Sequence, residues 1–201
     1  MVVSDSTGIV ILAAGCSKRL GRPKQLLEYR GKPLLRHAAE AALASQCRPV
    51  VVVLGAEMEA CRKVVTGLNV ECVRNSSWES GMASSICSGI AAIERAAPNI
   101  AGVIFCVADQ PMLNATVLDA LVTRRREAGT PMSAAEYNGG FGTPALFAAA
   151  LFPRLKQLSG DEGARRVLLE NPAAVARVPF PEGARDIDTP EDFARLQPEA
   201  K

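Results

Sequence analysis

The sequence predicts an α/β fold built on a mainly parallel sheet. Three observations carry that reading. Short apolar runs rich in valine and isoleucine recur at "GIVILAA" (8–14), "PVVVVLG" (49–55) and "AGVIFCVADQP" (101–111), each of strand length. Segments with apolar residues at helical spacing stand between them, and strands alternating with helices are the pattern of βαβ units. The runs are apolar at nearly every position instead of every second one, which implies a sheet covered on both faces.

The elements follow in order. After the first strand, "PLLRHAAEAALAS" (33–45) reads as a helix, with Pro33 suited to its first turn. The second strand leads to a short helix at "EMEACRKVVTG" (57–67), stopped by glycine, and "NVECVRN" (69–75) alternates as a third strand. "GMASSICSGIAAIERAA" (81–97) reads as a loop entering a long helix, and "NATVLDALVTRRREAG" (114–129) as an amphipathic helix capped by Asn114. Then come "PMSAAEY", a glycine-rich link "NGGFG" and "TPALFAAALFPRLKQL". Alanine and proline around residues 128–150 suggest a change of sheet direction without dividing the chain. "GDEGARRVLLEN" reads as a further helix with Asp161 at its N-cap. "AAVARVPF" and "RDIDTPED" precede a short last helix. There Thr189, Pro190 and Asp192 occupy the N-cap, first and third positions of a capping box.

Composition narrows the function. The 201 residues suffice for one sizeable core, and a single domain spanning 1–201 is expected. Basic and acidic residues nearly balance, 23 against 21, so neither a nucleic-acid nor a membrane surface is expected. No apolar run approaches the ~20 residues of a membrane span, and "MVVSDSTG" lacks the regions of a signal peptide. A cytoplasmic location is expected. The six cysteines include no CxxC pair and read as free thiols in a reducing compartment, while Cys16 lies in a loop without an assigned role. The single histidine, His37, falls in a helix at a partly exposed position.

In open α/β sheets ligands bind beyond the carboxyl ends of the strands. The first such end is "LAAGCSKRLGRPKQLL" (12–27), which matches neither a Walker A loop nor a dinucleotide fingerprint. Small residues Ala13, Ala14 and Gly15 let backbone approach a ligand, and Arg19 and Lys24 supply positive charge for phosphate. A merely solvated basic loop is the other reading. Asp109 ends an apolar strand, where a carboxylate either caps a turn or ligates magnesium. Asp188 stands before the last helix, and an extended 186–188 would turn Asp186 to the same side. A basic loop with two carboxylates at strand ends suggests phosphoryl or nucleotidyl transfer, which needs positioning and charge neutralisation above all. An acceptor that is itself a phosphate would be ionised already and need no general base.

These residues resemble a known family. "LAAGCSKRLGRPKQLL" is similar to the signature LAAGxSxRxGxxKxLL of the MobA-like nucleotidyltransferases, and "VADQP", "GGFGTPALF", "GDEGAR" and "DIDTPED" follow in the expected order from Ile9 to Phe193. The resemblance implies a Rossmann-like three-layer α/β fold with a mainly parallel sheet, of the nucleotide-diphospho-sugar transferase type. It also implies magnesium-dependent transfer of a nucleoside monophosphate from a nucleoside triphosphate. Within the family the chain looks most like the molybdenum cofactor cytidylyltransferases, which join CMP from CTP to molybdopterin. "LAAG" stands where the guanylyl branch typically has LAGG, "DQP" where it has DMP, and "GMASSICSGI" resembles a segment of the cytidylyl branch. The methyl of Ala14 would narrow the space beside the base and disfavour a purine.

Carried over by resemblance, Leu12, Ala13, Ala14 and Gly15 would cradle base and phosphates, and Arg19 and Lys24 would bind the triphosphate. Gly81, Ser84 and Ser85 would face the nucleotide, although the serines could instead cap the following helix. Asp109 and Asp188 would hold Mg2+, and Gly142, Thr143 and Pro144 would lie near the acceptor, although "GGFGTP" could also be a tight link. Trp78 would cover the loop or stack on a ligand. A molybdenum hydroxylase client is a further implied partner. Two alternatives stand beside this reading: a nucleotidyltransferase with another base or another small phosphorylated acceptor, and a non-catalytic accessory protein that binds finished molybdenum cofactor.

Overall fold

The computed structural model describes residues 6–17, 20–187 and 189–196. Two residues of the expected site, Arg19 and Asp188, lie outside the described residues.

In chain order the elements are β1 (Thr7–Ala13), β2 (Glu28–Tyr29), β3 (Lys32–Pro33), α1 (Leu34–Ala44), β4 (Val50–Leu54), α2 (Met58–Val64), β5 (Glu71–Arg74) and α3 (Met82–Ala96). They continue with β6 (Gly102–Val107), α4 (Ala115–Ala128), β7 (Met132–Tyr137), β8 (Gly140–Ala148), α5 (Phe152–Leu155), α6 (Arg165–Glu170), β9 (Val175–Pro179) and α7 (Pro190–Leu196). Strands β2 and β3 form a small hairpin. The other seven make one sheet in the order β5-β4-β1-β6-β8-β7-β9.

The apolar runs form the parallel centre of that sheet. β1 pairs in parallel with β4 and β6, and β4 with β5. Successive side chains of a strand point to opposite faces, so each run feeds two cores. Val10, Val51, Val53 and Phe105 pack under α3, α5 and α6 through Ile86, Ile90, Phe152 and Leu168. Ile9, Ile11, Val52 and Ile104 pack under α1, α2 and α4 through Leu35, Ala39, Cys61 and Leu118. Helices on both faces make the three layers that the continuous apolar strands require. A third cluster, of Leu20, Leu27, Tyr29, Leu34 and Ile187 with Phe193 and Leu196 against it, ties α7 to the stretch after the first strand.

The expected change of sheet direction falls at β8, which runs antiparallel to both β6 and β7. The glycine-rich "NGGFG" is more than a link. Asn138 and Gly139, at φ 50° and 71°, form the two-residue turn of the β7–β8 hairpin, and the rest belongs to β8. Two successive left-handed residues are what a tight hairpin turn of this type demands, and Asn-Gly is its favoured pair.

One expected helix starts late. "GDEGARRVLLEN" becomes helical only at Arg165, its N-cap position is Ala164, and no side chain caps it. Asp161 is therefore not an N-cap. The Glu162 carboxylate instead accepts from the Ser159 amide at 3.0 Å, and Gly160 adopts φ 55°. This local turn competes with the helix. The last helix starts where expected. The Thr189 amide donates to the Asp192 carboxylate at 2.9 Å, and the Asp192 amide donates to the Thr189 hydroxyl at 3.2 Å, the reciprocal pair of a capping box. Before it, 186–187 form no strand, and the Ile187 amide donates to the carbonyl of Asp109 at 3.2 Å.

Candidate active site

The carboxyl ends of β1 and β6, neighbours at the centre of the sheet, bring Lys24 and Asp109 together. Their side chains, 85 residues apart in sequence, form an ion pair. Asp109 is 7% exposed, and its second oxygen, Oδ1, is buried without a hydrogen-bond partner among the described residues. A buried carboxylate oxygen left unmet is costly, and oxygen of this kind is what a hard divalent cation prefers. Among the described residues no three His, Cys, Asp or Glu side chains cluster as metal ligands.

The loop that delivers Lys24 is built from the backbone. Ser17, at φ 52°, reverses the chain. Its hydroxyl accepts from the Lys24 amide at 3.0 Å, and its carbonyl accepts from Leu20 at 3.0 Å. Gln25, 2% exposed, staples the start of the loop: its Nε2 donates to the carbonyls of Ala13 and Gly15 at 3.0 and 2.7 Å. The carbonyl of Ala14 accepts from Ala56 at 3.0 Å. Three carbonyls in a row are thus held from behind. Gln25 carries no signal in the sequence, since it fills a variable position of the loop signature.

Two adjoining cavities open over this centre, of about 540 and 560 Å³. Leu12, Lys24, Met82, Val107 and Asp109 line both, so the ion pair sits at their junction. The first cavity continues over Ala14, Gly15, Cys16, Trp78, Gly81, Ser85 and Asp161. The second continues over Gln110, Tyr137, Phe141, Gly142, Thr143, Arg165 and Asp186. Asp161, expected as a helix cap, is therefore exposed in the first cavity.

Of the expected nucleotide residues, Leu12, Ala14, Gly15, Lys24, Gly81 and Ser85 line the first cavity. Ala13 is buried at the end of β1 and Ser84 is turned away. The Ser84 hydroxyl contacts the carbonyls of Ser77 and Gly81 at 3.0 and 2.8 Å, and Asn75 Nδ2 donates to the hydroxyls of Ser84 and Ser85 at 2.8 and 2.9 Å. Neither serine caps α3, whose N-cap is Gly81. Gly81, at φ 107°, lies so close to the 160–161 backbone that an added Cβ would meet Gly160 at 2.2 Å. Of the expected acceptor residues, Gly142 and Thr143 line the second cavity, while Pro144 is buried behind them. The β7–β8 register passes from Ala134 opposite Ala145 to Ala135 opposite Gly142, so Thr143 and Pro144 bulge out of the ladder.

All six cysteines are free. Burial pushes the thiols of Cys47 and Cys61 up to about 11 and that of Cys106 to about 12. His37 sits in α1, away from both cavities, its Nε2 2.6 Å from the carbonyl of Tyr29. Among the described residues no helix is long and apolar enough to cross a membrane.

A profile of the MobA-like NTP transferase domain matches residues 9–175, most of the chain. The chain belongs to the MobA-like NTP transferase family. Members similar to it carry different names. It is 37% identical to nicotine blue oxidoreductase of Paenarthrobacter nicotinovorans, with 93% of this chain and 94% of the relative aligned. It is 31% identical to the molybdenum cofactor guanylyltransferase of Rhodobacter capsulatus, over 94% and 93%. Among solved structures, a homologue from Mycobacterium sp. strain JC1 of the Mycobacterium tuberculosis protein Rv0371c superposes with a TM-score of 0.80 at 28% identity, covering 96% of this chain and 95% of that one. Rv0371c itself, solved in complex with manganese, gives 0.73 at 27% identity, over 95% and 97%. The seven-stranded, mainly parallel sheet of this MobA-like chain is the fold that the family resemblance implied.

Proposed function

We propose that this chain transfers CMP from CTP to the phosphate of a molybdopterin-type acceptor and releases pyrophosphate. The observation that carries the reading is the Lys24–Asp109 pair at the junction of two cavities in a MobA-like chain. One cavity suits the nucleotide and the other the acceptor, with the reacting phosphates meeting between them.

In this reading the first cavity takes base and ribose against Ala14, Gly15, Gly81 and Ser85. The amides of the loop and the ammonium of Lys24 bind the triphosphate, and Arg19 adds a second cation. The acceptor enters past Gly142 and Thr143, with Pro144 behind them. An oxygen of its phosphate attacks the α-phosphorus of CTP, the bond to the β-phosphate oxygen breaks, and pyrophosphate leaves. A phosphate monoester has a second pKa near ~6, so the attacking oxygen is ionised at neutral pH and no side chain need remove a proton. Lys24, drawn to the triphosphate, offsets charge on the leaving pyrophosphate. Asp109, with its unmet Oδ1, fits a magnesium ion; Asp109 and Asp188 would hold it, and it would supply positive charge to offset that of the phosphates. The manganese complex of Rv0371c supports a divalent cation in this fold. The reaction belongs to the cytoplasm, where a single-domain chain of this kind meets both substrates and a molybdenum hydroxylase client.

The choice of CTP rests on Ala14, whose side chain lies on the wall of the first cavity. A second reading has its own support: the relative at 37% identity is named an oxidoreductase, so the same cleft would carry a redox reaction. One panel separates the readings. Each nucleoside triphosphate is incubated with magnesium and molybdopterin, and pyrophosphate is measured. CTP is expected to give the fastest release. Release with GTP and not CTP would reverse the base assignment. No release with any triphosphate would overturn the transfer reading and favour the redox one.

A further inference from the structure

Gln110 follows Asp109 directly, yet it serves only one of the two cavities. It is 4% exposed and lines the second cavity, and it is absent from the wall of the first, where Ala14 lies. Its Nε2 reaches the carbonyl of Thr143 at 2.9 Å, the carbonyl of Gly183 at 3.1 Å and the hydroxyl of Tyr137 at 3.3 Å. Two of these partners can only accept, so the amide can face them only with its nitrogen. The bulge of Thr143 and Pro144 out of the β7–β8 ladder leaves the Thr143 carbonyl available for this bond.

The orientation has a consequence for the other end of the amide. Oε1 of Gln110 is buried and has no hydrogen-bond partner among the described residues. Buried acceptors are nearly always paired, and an exception needs an explanation, of which a partner supplied from outside the chain is one. With the nitrogen committed to the wall, the oxygen is able only to accept.

We propose that Gln110 is a specificity-determining residue for the acceptor and not for the base. Nε2 holds the β7–β8 bulge and the 180–184 turn together as one wall of the second cavity. Oε1 receives an N–H or O–H donor from the part of the acceptor that enters there. The class of acceptor selected is a phosphorylated compound with such a donor, for example an amino-substituted heterocycle. The proposal rests on the reading that the second cavity takes the acceptor.

Steady-state transfer by the full chain tests it, with CTP and GTP as donors and molybdopterin as acceptor. Gln110→Met keeps the side-chain length and removes both the donor and the acceptor. It is expected to raise the KM for molybdopterin about tenfold, the effect of losing a buried polar contact. The KM for CTP and the CTP-to-GTP ratio of kcat/KM should stay within about twofold. Tyr137→Phe deletes a single hydroxyl, keeps the fold, and should raise the molybdopterin KM by less than Gln110→Met. A change in the CTP KM or in the CTP-to-GTP ratio with the molybdopterin KM unmoved would overturn the proposal and return Gln110 to base selection. If Gln110→Met does not fold, Tyr137→Phe decides alone, and an unmoved molybdopterin KM overturns the proposal. A wild-type chain that transfers nothing to molybdopterin fails at a different step, and it removes the functional reading together with this one.

Discussion

At the scale of single residues, the chemistry concentrates where a charged group interrupts apolar sequence. Asp109 was legible because a carboxylate ends a run of apolar strand residues, and Lys24 because it closes a loop of small and basic residues. Their pairing was not legible as such, since it depends on β1 and β6 lying side by side. Gln25 was invisible. Its work is to hold the carbonyls of Ala13 and Gly15, twelve and ten residues back, and nothing in its own sequence neighbourhood signals that contact. Two substitutions follow. Asp109→Asn, which keeps the shape and removes the charge, should lower kcat by roughly a hundredfold or more, the scale seen when one preorganised charge is lost from an active site. Circular dichroism should show an unchanged fold. Gln25→Ala should cost about 1–3 kcal/mol by leaving two loop carbonyls without their donor. Urea unfolding would measure the loss, and an unchanged midpoint would show that Gln25 does not brace the loop.

At the scale of elements, local signals were read well and pairings poorly. The capping box of α7 sits within four consecutive residues, Thr189 to Asp192, so sequence alone revealed it. The β7–β8 hairpin needs partners far apart, and its Asn-Gly turn was read as a mere link. The helix that begins at Arg165 shows the opposite error. A favourable N-cap residue, Asp161, precedes a helical pattern, but it falls inside the turn made by Ser159, Gly160 and Glu162, and the helix begins only at Arg165. Thr189→Ala should cost about 1 kcal/mol in urea unfolding, the usual value of an N-cap. Gly81→Val tests the contact between the start of α3 and the 160–161 loop. Its Cβ has no room beside Gly160, so the variant should lose nucleotide affinity by more than tenfold in a binding titration. Retained affinity would show that this contact is not needed to shape the first cavity.

At the scale of the whole molecule, continuous apolar strands foretold helices on both sheet faces, and the two cores are the result. The reversed direction of β8 was anticipated only as a composition change, because strand direction is set by connections and not by local pattern. The buried thiols add a property of the entire fold. Cys47, Cys61 and Cys106 have folded-state pKa values raised to about 11, 11 and 12, above the ~8.5 of an unfolded cysteine. An acid whose pKa is raised on folding favours the native state only while the unfolded thiol remains protonated. The contribution of these thiols to stability should therefore be constant below about pH 8 and fall as pH rises from ~8.5 toward 11. Urea midpoints at pH 7 and pH 10 would measure this, and equal midpoints would contradict the burial of the three thiols.

In the proposed function, the Lys24–Asp109 junction is where a nucleotide is handed from one cavity to the other. The most direct measurement follows label from CTP carrying radioactive α-phosphate into the molybdopterin fraction, for the wild-type chain and for Asp109→Asn. The wild type should place label in molybdopterin, with one pyrophosphate released per label transferred, and the variant should place almost none. Equal transfer by both proteins, or pyrophosphate release with no label in molybdopterin, would contradict it.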